Sequence, residues 1–357
     1  MEIVVNVERR GRPASENTDR SQTSVTVVIC THNRAILLER CLQALQNVEY
    51  EAVATIIVDS APTSNAAWIL SQRYKTDYVA SPMKGLSRAR NIGARAAHCD
   101  IIAFLDDDMV PDQGWLRALA ARFADGRVAA VTGPVLPLQA RAVGAEQLRH
   151  MLQSCSWGPA AFEICSDSPS WFERANFGGV GDGNFALRRN VFGRFVEFEE
   201  GLGRGATIDT SEEHYLFFGL LSLRYRVGYE PRAIVFHPVS PVDAQHPREL
   251  MAQSCAYAIF LAWHHPRYAW RIARYYIGGL FRVCRLWRNL APNRGVSRSR
   301  TAMLQGGLAG LRLFLRFLFE RRASARSAYR QAADPTAPGL HGSPEAGQEI
   351  HVPIWTR

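Results

Sequence analysis

Hydrophobic positions along residues 24–138 alternate between two patterns. Short, almost continuous apolar runs predict buried strands, and apolar residues at a spacing of three and four between them predict amphipathic helices. The strand-like runs are "SVTVVIC" (24–30), "ATIIVDS" (54–60), "DYVAS" (77–81), "DIIAFLDDD" (100–108) and "VAAVTGPVLPL" (128–138). The helix-like runs are "RAILLERCLQALQNV" (34–48), "NAAWILSQRY" (65–74), "GLSRARNIGARAAH" (85–98) and "QGWLRALAARFAD" (113–125).

This alternation predicts an α/β domain with a mostly parallel sheet and helices on both faces. Ligands of such sheets bind beyond the carboxyl ends of the strands. The polar segment "THNR" (31–34) follows the first strand, Asp59 ends the second, and Asp106 to Asp108 end the fourth. We therefore expect these groups to share one edge of the sheet.

Three consecutive aspartates raise one another's pKa unless a cation or a proton is shared among them. One interpretation is a solvated turn or a helix N-cap. The other is a cation site, because Mg²⁺ or Mn²⁺ takes oxygen ligands, usually one or two carboxylates together with substrate phosphates. The carboxylate expected at the end of the second strand favours the cation site and a phosphate-bearing substrate.

The positive charge of the chain is confined to its C-terminal third. Of the net charge of +9, residues 245–357 contribute +12, with 17 arginines, no lysine and five acids, so residues 1–244 carry −3. We predict a flexible segment at 1–23, a catalytic domain at 24–244, a basic helical extension at 245–330 and a disordered tail at 331–357. Residues 140–200 are less regular, and "EEHYLFFGLLSLRYRVGYEPRAIVFHP" (212–238) predicts helix, turn and strand.

The sequence favours a cytoplasmic protein. Its N-terminus contains acids and arginines but no apolar core of a signal peptide. The seven cysteines are an odd number and include no CxxC pair, so disulfides and zinc are not expected. Arginines interrupt every long apolar segment, so no spanning helix is predicted.

Basic amphipathic helices are expected in the C-terminal extension. The segments 257–287 and 303–322 place Phe, Trp and Leu between arginines. The arginines are Arg271, Arg274, Arg282, Arg285, Arg312 and Arg316. This pattern predicts a helix lying on an anionic membrane surface, which would put the protein on the inner face of the cell membrane. Nucleic-acid binding explains the apolar residues poorly, and an oligomer interface is a third interpretation.

Four segments resemble, in order and at fitting intervals, the successive motifs of the family 2 glycosyltransferases, which have the GT-A fold. They are "VVICTHNRAILLERCLQAL", "IIVDSAP", "GLSRARNIGARAA" and "IAFLDDDMVPDQGWL", and the resemblance extends over about residues 24–240. "GVGDGNFAL", "TSEEHYLF" and "YRVGYEPRAIVFHP" are similar to later elements of the same family.

The resemblance implies a role for each matched residue. Nucleotide-sugar contacts are implied for Thr31, Asn33, Arg34, Asp59, Arg88, Arg90, Asp106 and Asp107. A D-x-D metal site is implied at Asp106 and Asp108, with His237 as a further ligand or phosphate contact, and Mg²⁺ or Mn²⁺ as the cofactor. Glu213 would be the general base, with Glu212 beside it.

Simpler interpretations of some of these residues stay open. The two arginines of "GLSRARN" would be solvated on a helix, "TSEE" would be a helix N-terminus, and the histidine would be structural. The sequence also departs from the family. Ser60 replaces a common acid after Asp59, Gly219 stands where an arginine is usual, and Arg224 stands where a glycine is usual. The family's Trp-Gly-Gly approach to the acidic pair is missing.

The activity implied is metal-dependent, inverting transfer of a sugar from a nucleotide diphosphate to the hydroxyl of a saccharide or lipid-linked acceptor. The setting implied is polysaccharide, glycolipid or other cell-envelope assembly. One alternative is a catalytically silent module of the same fold that binds nucleotide sugars or a membrane surface. Another is a nucleotidyltransferase, but "CTHNR" does not supply the glycine-rich loop expected after its first strand.

Overall fold

The computed structural model describes residues 23–154, 158–177, 183–238, 247–275 and 305–321. These residues form two units. The first comprises the described residues up to Ala206 together with those from Ser211 to 238. The second comprises Thr207–Thr210 and the described residues from 247 onward.

An eight-stranded sheet forms the centre of the first unit. Its strands are β1 (Val25–Thr31), β2 (Val53–Ser60), β3 (Asp77–Ser81), β4 (Ile101–Asp106), β6 (Val128–Thr132), β8 (Phe162–Ile164), β9 (Asn184–Arg188) and β10 (Arg226–Tyr229). They lie in the order β3-β2-β1-β4-β9-β6-β10-β8. A second sheet, in the order β5-β11-β7, joins β5 (Val110–Pro111), β7 (Val135–Pro137) and β11 (Val235–His237).

Helices connect most of the strands. In the first unit they are α1 (Ala35–Leu45), α2 (Ala66–Tyr74), α3 (Leu86–Ala96), α4 (Trp115–Arg122), α5 (Ala145–Ser154), α6 (Trp171–Phe177) and α7 (Glu212–Ser222), with a 3-10 turn at Leu138–Ala142. Every residue of β1 is buried, as the uninterrupted apolar run predicts. Helix α3 packs closely on the sheet, because a Cβ added at Gly93 would lie 2.4 Å from Cγ1 of Val28.

The predicted fold class is confirmed, with two differences in detail. Strand β9 runs antiparallel between β4 and β6, and β8 runs antiparallel beside β10, whereas β1 to β4 pair in parallel. The apolar run 128–138, predicted as one strand, is divided into β6 and β7, which belong to different sheets. Gly133 lies at this division, where an added Cβ would be 2.0 Å from the carbonyl oxygen of Ala233.

The second unit is helical. Helix α8 (Pro247–His264) is followed by a 3-10 turn (Pro266–Tyr268) and by helical residues 269–275 and 305–321. Phe317 packs edge-on against Phe260, with 5.4 Å between ring centroids. The segment 207–210 is held within this unit, because Thr207 donates a hydrogen bond to Glu320. In the same segment, the backbone nitrogen of Asp209 donates a 2.9 Å hydrogen bond to the side-chain oxygen of Gln253.

No helix among the described residues is long and apolar enough to cross a membrane. The predicted flexible segment, except for its last residue, and the predicted disordered tail lie outside the described residues. So do Arg282 and Arg285 of the predicted basic helices.

Candidate active site

The carboxyl ends of three neighbouring strands place the predicted polar groups side by side. In the parallel register, Thr31 of β1 pairs with Asp59 of β2, and Cys30 of β1 pairs with Asp106 of β4. The polar ends of these strands therefore share one edge, as the sequence predicts. The three consecutive aspartates at this edge are divided between two arginines that lie 56 positions apart in the chain.

The first arginine cluster consists of Arg34, Thr31, Asp107 and Asp108. Arg34 stands immediately before α1 and donates from Nε to Asp107 Oδ2 at 3.1 Å and from Nη1 to Asp108 Oδ2 at 3.0 Å. Its Nη2 donates to the other oxygen of Asp107. The Thr31 hydroxyl donates to Asp107 Oδ2 at 2.6 Å. The side chain of Arg34 remains 38% exposed, so it is accessible from solvent.

Burial and charge act differently on the two aspartates of this cluster. Burial raises the pKa of Asp107 to about 7, although the Arg34 charge and the Thr31 hydrogen bond oppose the increase. Burial also acts to raise the pKa of Asp108. There, a hydrogen bond from His237 and the charge of Arg34 outweigh burial, so the pKa of Asp108 is lowered. Asp108 is therefore the more persistent negative charge.

His237, at the end of β11, lies beside Asp108. Its Nε2 is 3.5 Å from Asp108 Oδ1, and the ring is partly exposed. Within the described residues, no three His, Cys, Asp or Glu side chains converge as a ready metal site. One or two carboxylates can still hold Mg²⁺ or Mn²⁺ when substrate phosphates complete the coordination. The side chains of Asp106 and Asp108 are 30% and 16% exposed, which leaves their oxygens within reach of such an ion.

The second arginine cluster consists of Arg90, Asp106, Glu212 and Glu213. Arg90 lies in α3 and is 2% exposed. Its Nη1 is 2.9 Å from Glu212 Oε1, and its Nη2 is 2.9 Å from Asp106 Oδ1 and 2.7 Å from Glu213 Oε1. Burial alone would lower the pKa of Arg90, but the three carboxylates reverse the effect and raise it. This guanidinium is therefore permanently charged.

Helix α7 supplies the acidic pair of the second cluster. Ser211, which precedes the helix, has φ of 69° and makes no side-chain cap hydrogen bond. The backbone nitrogen of Gly183 donates to Glu213 Oε1 at 3.1 Å. Both glutamates are buried, so they differ from the exposed acids that usually cap a helix start. The interpretation of "TSEE" as a plain capping sequence is therefore not sufficient.

Two glycines that the sequence analysis did not assign lie against these carboxylates. A Cβ at Gly183 (φ +75°) would be 2.4 Å from Asp106 Oδ2. A Cβ at Gly203 (φ +91°) would be 2.8 Å from Glu212 Cδ. Both positions require glycine for conformation and for space. The glycine-rich segments "GVGDGN" and "GLGRG" are the signal in the sequence for this requirement.

The remaining predicted residues lie at the rim of the site. Asp59 is buried and accepts a 3.2 Å hydrogen bond from Tyr78, while its Oδ1 has no partner among the described residues. Burial raises the pKa of Asp59, and Tyr78 and His32 partly oppose this. Asn33 accepts hydrogen bonds from the backbone nitrogen and hydroxyl of Thr63, so it links the loops after β1 and β2.

Arg88 does not join either cluster in the structure. Its Nε and Nη2 donate to Glu200 Oε2 at 2.9 and 2.7 Å. Arg88 and Arg90 are two residues apart on α3 and therefore point in different directions. The family resemblance implied one role for both arginines, but their surroundings differ.

Comparison with known proteins shows what part of the chain is similar to. Residues 26–192 match the family described as "Glycosyl transferase family 2". The chain is 27% identical to "Pre-mycofactocin glycosyltransferase" of Mycobacterium tuberculosis over 220 residues. This alignment covers 61% of this chain and 43% of that protein. It is also 27% identical over 237 residues to "Succinoglycan biosynthesis protein ExoM" of Rhizobium meliloti, covering 60% and 67%. The chain thus spans less than half the length of the mycobacterial relative.

A solved structure shows the same fold. The mannosyltransferase PcManGT from Pyrobaculum calidifontis aligns with a TM-score of 0.52 and 18% sequence identity, over 85% of this chain and 90% of that one. The match over residues 26–192 and the shared fold agree with the resemblance that the sequence motifs indicate. The family match thus extends over residues 26–192, a little under half of the chain.

Proposed function

We propose that this protein is a metal-dependent, inverting glycosyltransferase that moves a sugar from a nucleotide-diphosphate donor to an acceptor hydroxyl. One observation carries the proposal most strongly. A single nitrogen of Arg90 contacts both Asp106 of the D-x-D segment and Glu213 of the acidic pair. The groups expected to act on the leaving diphosphate and on the attacking hydroxyl therefore belong to one site.

The donor site is proposed at the ends of β1, β2 and β4. Oδ1 of Asp59, which has no hydrogen-bond partner in the part of the chain that the structure describes, is a buried acceptor suited to an N–H or O–H group of a nucleoside. Arg34 has a partly exposed side chain, and its guanidinium is suited to binding a phosphate. Thr31 and Asn33 order the loop that carries Arg34. Direct nucleotide contacts by Arg88 and Asp107 remain part of the proposal, although both side chains have protein partners.

The proposed cofactor is Mg²⁺ or Mn²⁺, held by Asp108 and Asp106 with His237 nearby. The donor set fits a hard divalent ion, because it offers carboxylate oxygens that retain some exposure beside a depressed Asp108 pKa. Such an ion, when bound, neutralises charge that develops on the leaving diphosphate. The archaeal protein of the same fold is described in complex with GDP-Man and Mn²⁺, which makes these ligands reasonable first candidates here.

Glu213 is the proposed general base. A carboxylate is a weak base, with an unperturbed pKa of about 4. The acceptor hydroxyl becomes more acidic as its oxygen bonds to the oxocarbenium-like carbon, so a positioned glutamate is sufficient. Displacement from the face opposite the diphosphate inverts the configuration. The hydrogen bond from Gly183 and the ion pair with Arg90 orient the Glu213 carboxylate for this step.

We propose polysaccharide, glycolipid or other cell-envelope assembly as the setting, with a saccharide or lipid-linked acceptor. Support comes from relatives in the family whose names refer to polymers. They are the succinoglycan biosynthesis protein and a "Hyaluronan synthase" of Pasteurella multocida, which is 26% identical over 133 residues and covers 36% of this chain and 14% of that protein.

The helical unit offers a surface suited to an anionic membrane. In the helix 305–321, Leu308, Leu311, Leu315 and Phe319 are exposed along one face, and Phe319 is 75% exposed. Exposed Arg312 and Arg316 lie among them. Apolar and cationic groups together complement lipid tails and anionic headgroups. We propose that this face lies on the inner surface of the cell membrane.

Vesicle binding tests the membrane proposal. The full chain should sediment with phosphatidylglycerol vesicles but not with phosphatidylcholine vesicles, and salt should weaken the binding. Leu315→Glu should lower the bound fraction several-fold, whereas Ile69→Glu, at an exposed apolar position of α2, should not. Equal vesicle binding by Leu315→Glu and the parent would contradict the proposal. If Leu315→Glu instead dissociates an oligomer while its vesicle binding is unchanged, the surface is an oligomer interface and the proposal is wrong. Point variants are preferable to truncation, because residues 207–210 belong to the helical unit.

A donor screen tests the catalytic proposal. The purified chain is incubated with a panel of UDP-, GDP- and dTDP-sugars and short oligosaccharides, and release of nucleoside diphosphate is measured. We expect release from at least one donor, loss in excess EDTA, and recovery with Mg²⁺ or Mn²⁺. Saturable donor binding without release would support the catalytically silent alternative. Undiminished release in EDTA would remove the metal from the proposal.

A further inference from the structure

We propose that Arg90 is a positioning residue that fixes the D-x-D aspartate and the acidic pair at a set separation. The inference rests on the proposed function. Nη1 of Arg90 contacts Glu212, while Nη2 contacts both Asp106 and Glu213. These carboxylates come from β4 and α7, which lie more than 100 residues apart in sequence. One planar guanidinium therefore sets the geometry between the donor side and the acceptor side of the site.

The surroundings of Arg90 leave it little freedom to contact a nucleotide directly. Its guanidinium carbon lies 5.7 Å from the ring centroid of Phe185 and 5.6 Å from that of Phe198. Both rings are buried. The aromatic contacts and the three carboxylates compensate the guanidinium for lost solvation. A side chain that is held in this way acts through its partners.

Backbone atoms restrict the same carboxylates from other directions. Gly183 approaches Asp106 and donates its N–H to Glu213, and Gly203 approaches Glu212. Three carboxyl groups and one guanidinium meet in the cluster, so the acidic side chains outnumber the basic one. The arrangement holds the acidic pair in place and leaves Asp106, whose side chain is 30% exposed, accessible to a cation.

Lysine is the informative replacement for Arg90. It keeps a positive charge but not the planar fork that binds two or more carboxylates in fixed directions. A displacement of about 1 Å in a catalytic group can lower turnover about 100-fold. We expect Arg90→Lys to lower kcat by about 10- to 100-fold and to change the donor KM by less than about threefold. A residue that binds the nucleotide would instead raise the KM.

A double-mutant cycle separates positioning from general damage. If Arg90 acts through Glu213, the loss in kcat for Arg90→Lys combined with Glu213→Gln should be close to that of Glu213→Gln alone. Independent losses that multiply would contradict the inference. Arg95→Lys is the matched control, because Arg95 lies on the same helix in an exposed pair with Glu197. It should keep the parental kcat and KM.

Further outcomes keep this inference distinct from the proposed function. Thermal unfolding and binding of the nucleoside diphosphate establish that each variant is folded. If Arg90→Lys does not fold, Glu212→Gln is the second variant, because it removes one partner of Arg90. It should lower kcat by less than the loss expected for Arg90→Lys and leave the donor KM unchanged. If the parent is active and Arg90→Lys is fully active, or is changed only in its KM, the inference about Arg90 is wrong and the proposed function is unaffected. A parent that turns over no donor would overturn the proposed function.

Discussion

The two arginine clusters contain the same chemical groups but differ in burial. Arg34 is 38% exposed and binds Asp107 and Asp108, whereas Arg90 is 2% exposed and binds Asp106 together with two glutamates from α7. An exposed guanidinium can exchange a protein partner for a phosphate. A buried one with three carboxylates cannot do so without leaving charges unpaired. This difference is the reason for proposing that the first cluster binds a ligand and that the second positions catalytic groups.

The same comparison explains the triple aspartate. Three adjacent carboxylates require nearby positive charge. The protein itself supplies two guanidinium groups, without any metal or donor. Arg34 binds Asp107 and Asp108, and Arg90 binds Asp106. A metal ion would therefore add to an existing balance of charges.

The largest expected difference between the clusters is in stability. Arg90→Met should lower the free energy of unfolding by about 3–5 kcal/mol, because it leaves buried carboxylates without their partner. Arg34→Met should cost about 1–2 kcal/mol, since Arg34 is partly exposed and the buried Asp107 can take up a proton instead. Urea denaturation of both variants measures the difference. Equal costs would contradict the distinction by burial.

Neighbouring aspartates should differ in their effect on turnover. Asp108→Asn should lower kcat about 10²- to 10³-fold, because it removes the persistent charge that is proposed to bind the metal. Asp107→Asn should be milder, since the Asp107 side chain is fully buried against Thr31 and Arg34. Steady-state assays with the donor found in the screen measure both. A larger loss for Asp107→Asn than for Asp108→Asn would show that the proposal assigns the metal contact to the wrong aspartate.

Arg34 should affect donor binding more than chemistry. Charge-assisted hydrogen bonds contribute about 1.5–3 kcal/mol, so Arg34→Met should raise the donor KM about 10- to 100-fold. Its kcat should fall less than that of Arg90→Lys. Calorimetric titration with the nucleoside diphosphate checks the binding part of this prediction. Unchanged affinity in Arg34→Met would remove Arg34 from the donor site.

Acid sensitivity should arise partly from His214, beside the acidic pair on α7. Burial lowers the pKa of His214 to about 4, so the unfolded state binds the proton more readily. Stability from this residue is complete above about pH 6.5 and is lost as the pH falls toward 4, by about 1.4 kcal/mol per pH unit. His214→Phe should flatten the dependence in urea unfolding between these values. An unchanged slope would place the acid sensitivity elsewhere.

The fold was accessible from the sequence because its signals are local. Each of these signals occupies only a few consecutive residues. Examples are the apolar runs of β1, β2 and β4 and the helical spacing of α1 and α3. The antiparallel position of β9 between β4 and β6 was not accessible, because a strand of five residues, three of them apolar, does not specify a partner or a direction.

The sequence predicted which polar residues stand together at the strand ends, but not the contacts that they make. The residues at the strand ends follow from topology, and the acidic pair follows from the family resemblance. The contact between Arg90 and Glu212 joins positions 122 residues apart, so no local pattern contains it. The burial of Arg90 likewise depends on packing by distant residues, among them Phe185 and Phe198.

The most direct test of the account compares the two glutamates that bind Arg90. Consecutive residues on a helix point about 100° apart, so only one can face the reacting carbon. Glu213→Gln should keep the fold and donor binding while losing about 10²- to 10⁴-fold in kcat, and Glu212→Gln should lose clearly less. Parental turnover by Glu213→Gln together with an inactive Glu212→Gln enzyme would contradict the assignment and move the general base to Glu212.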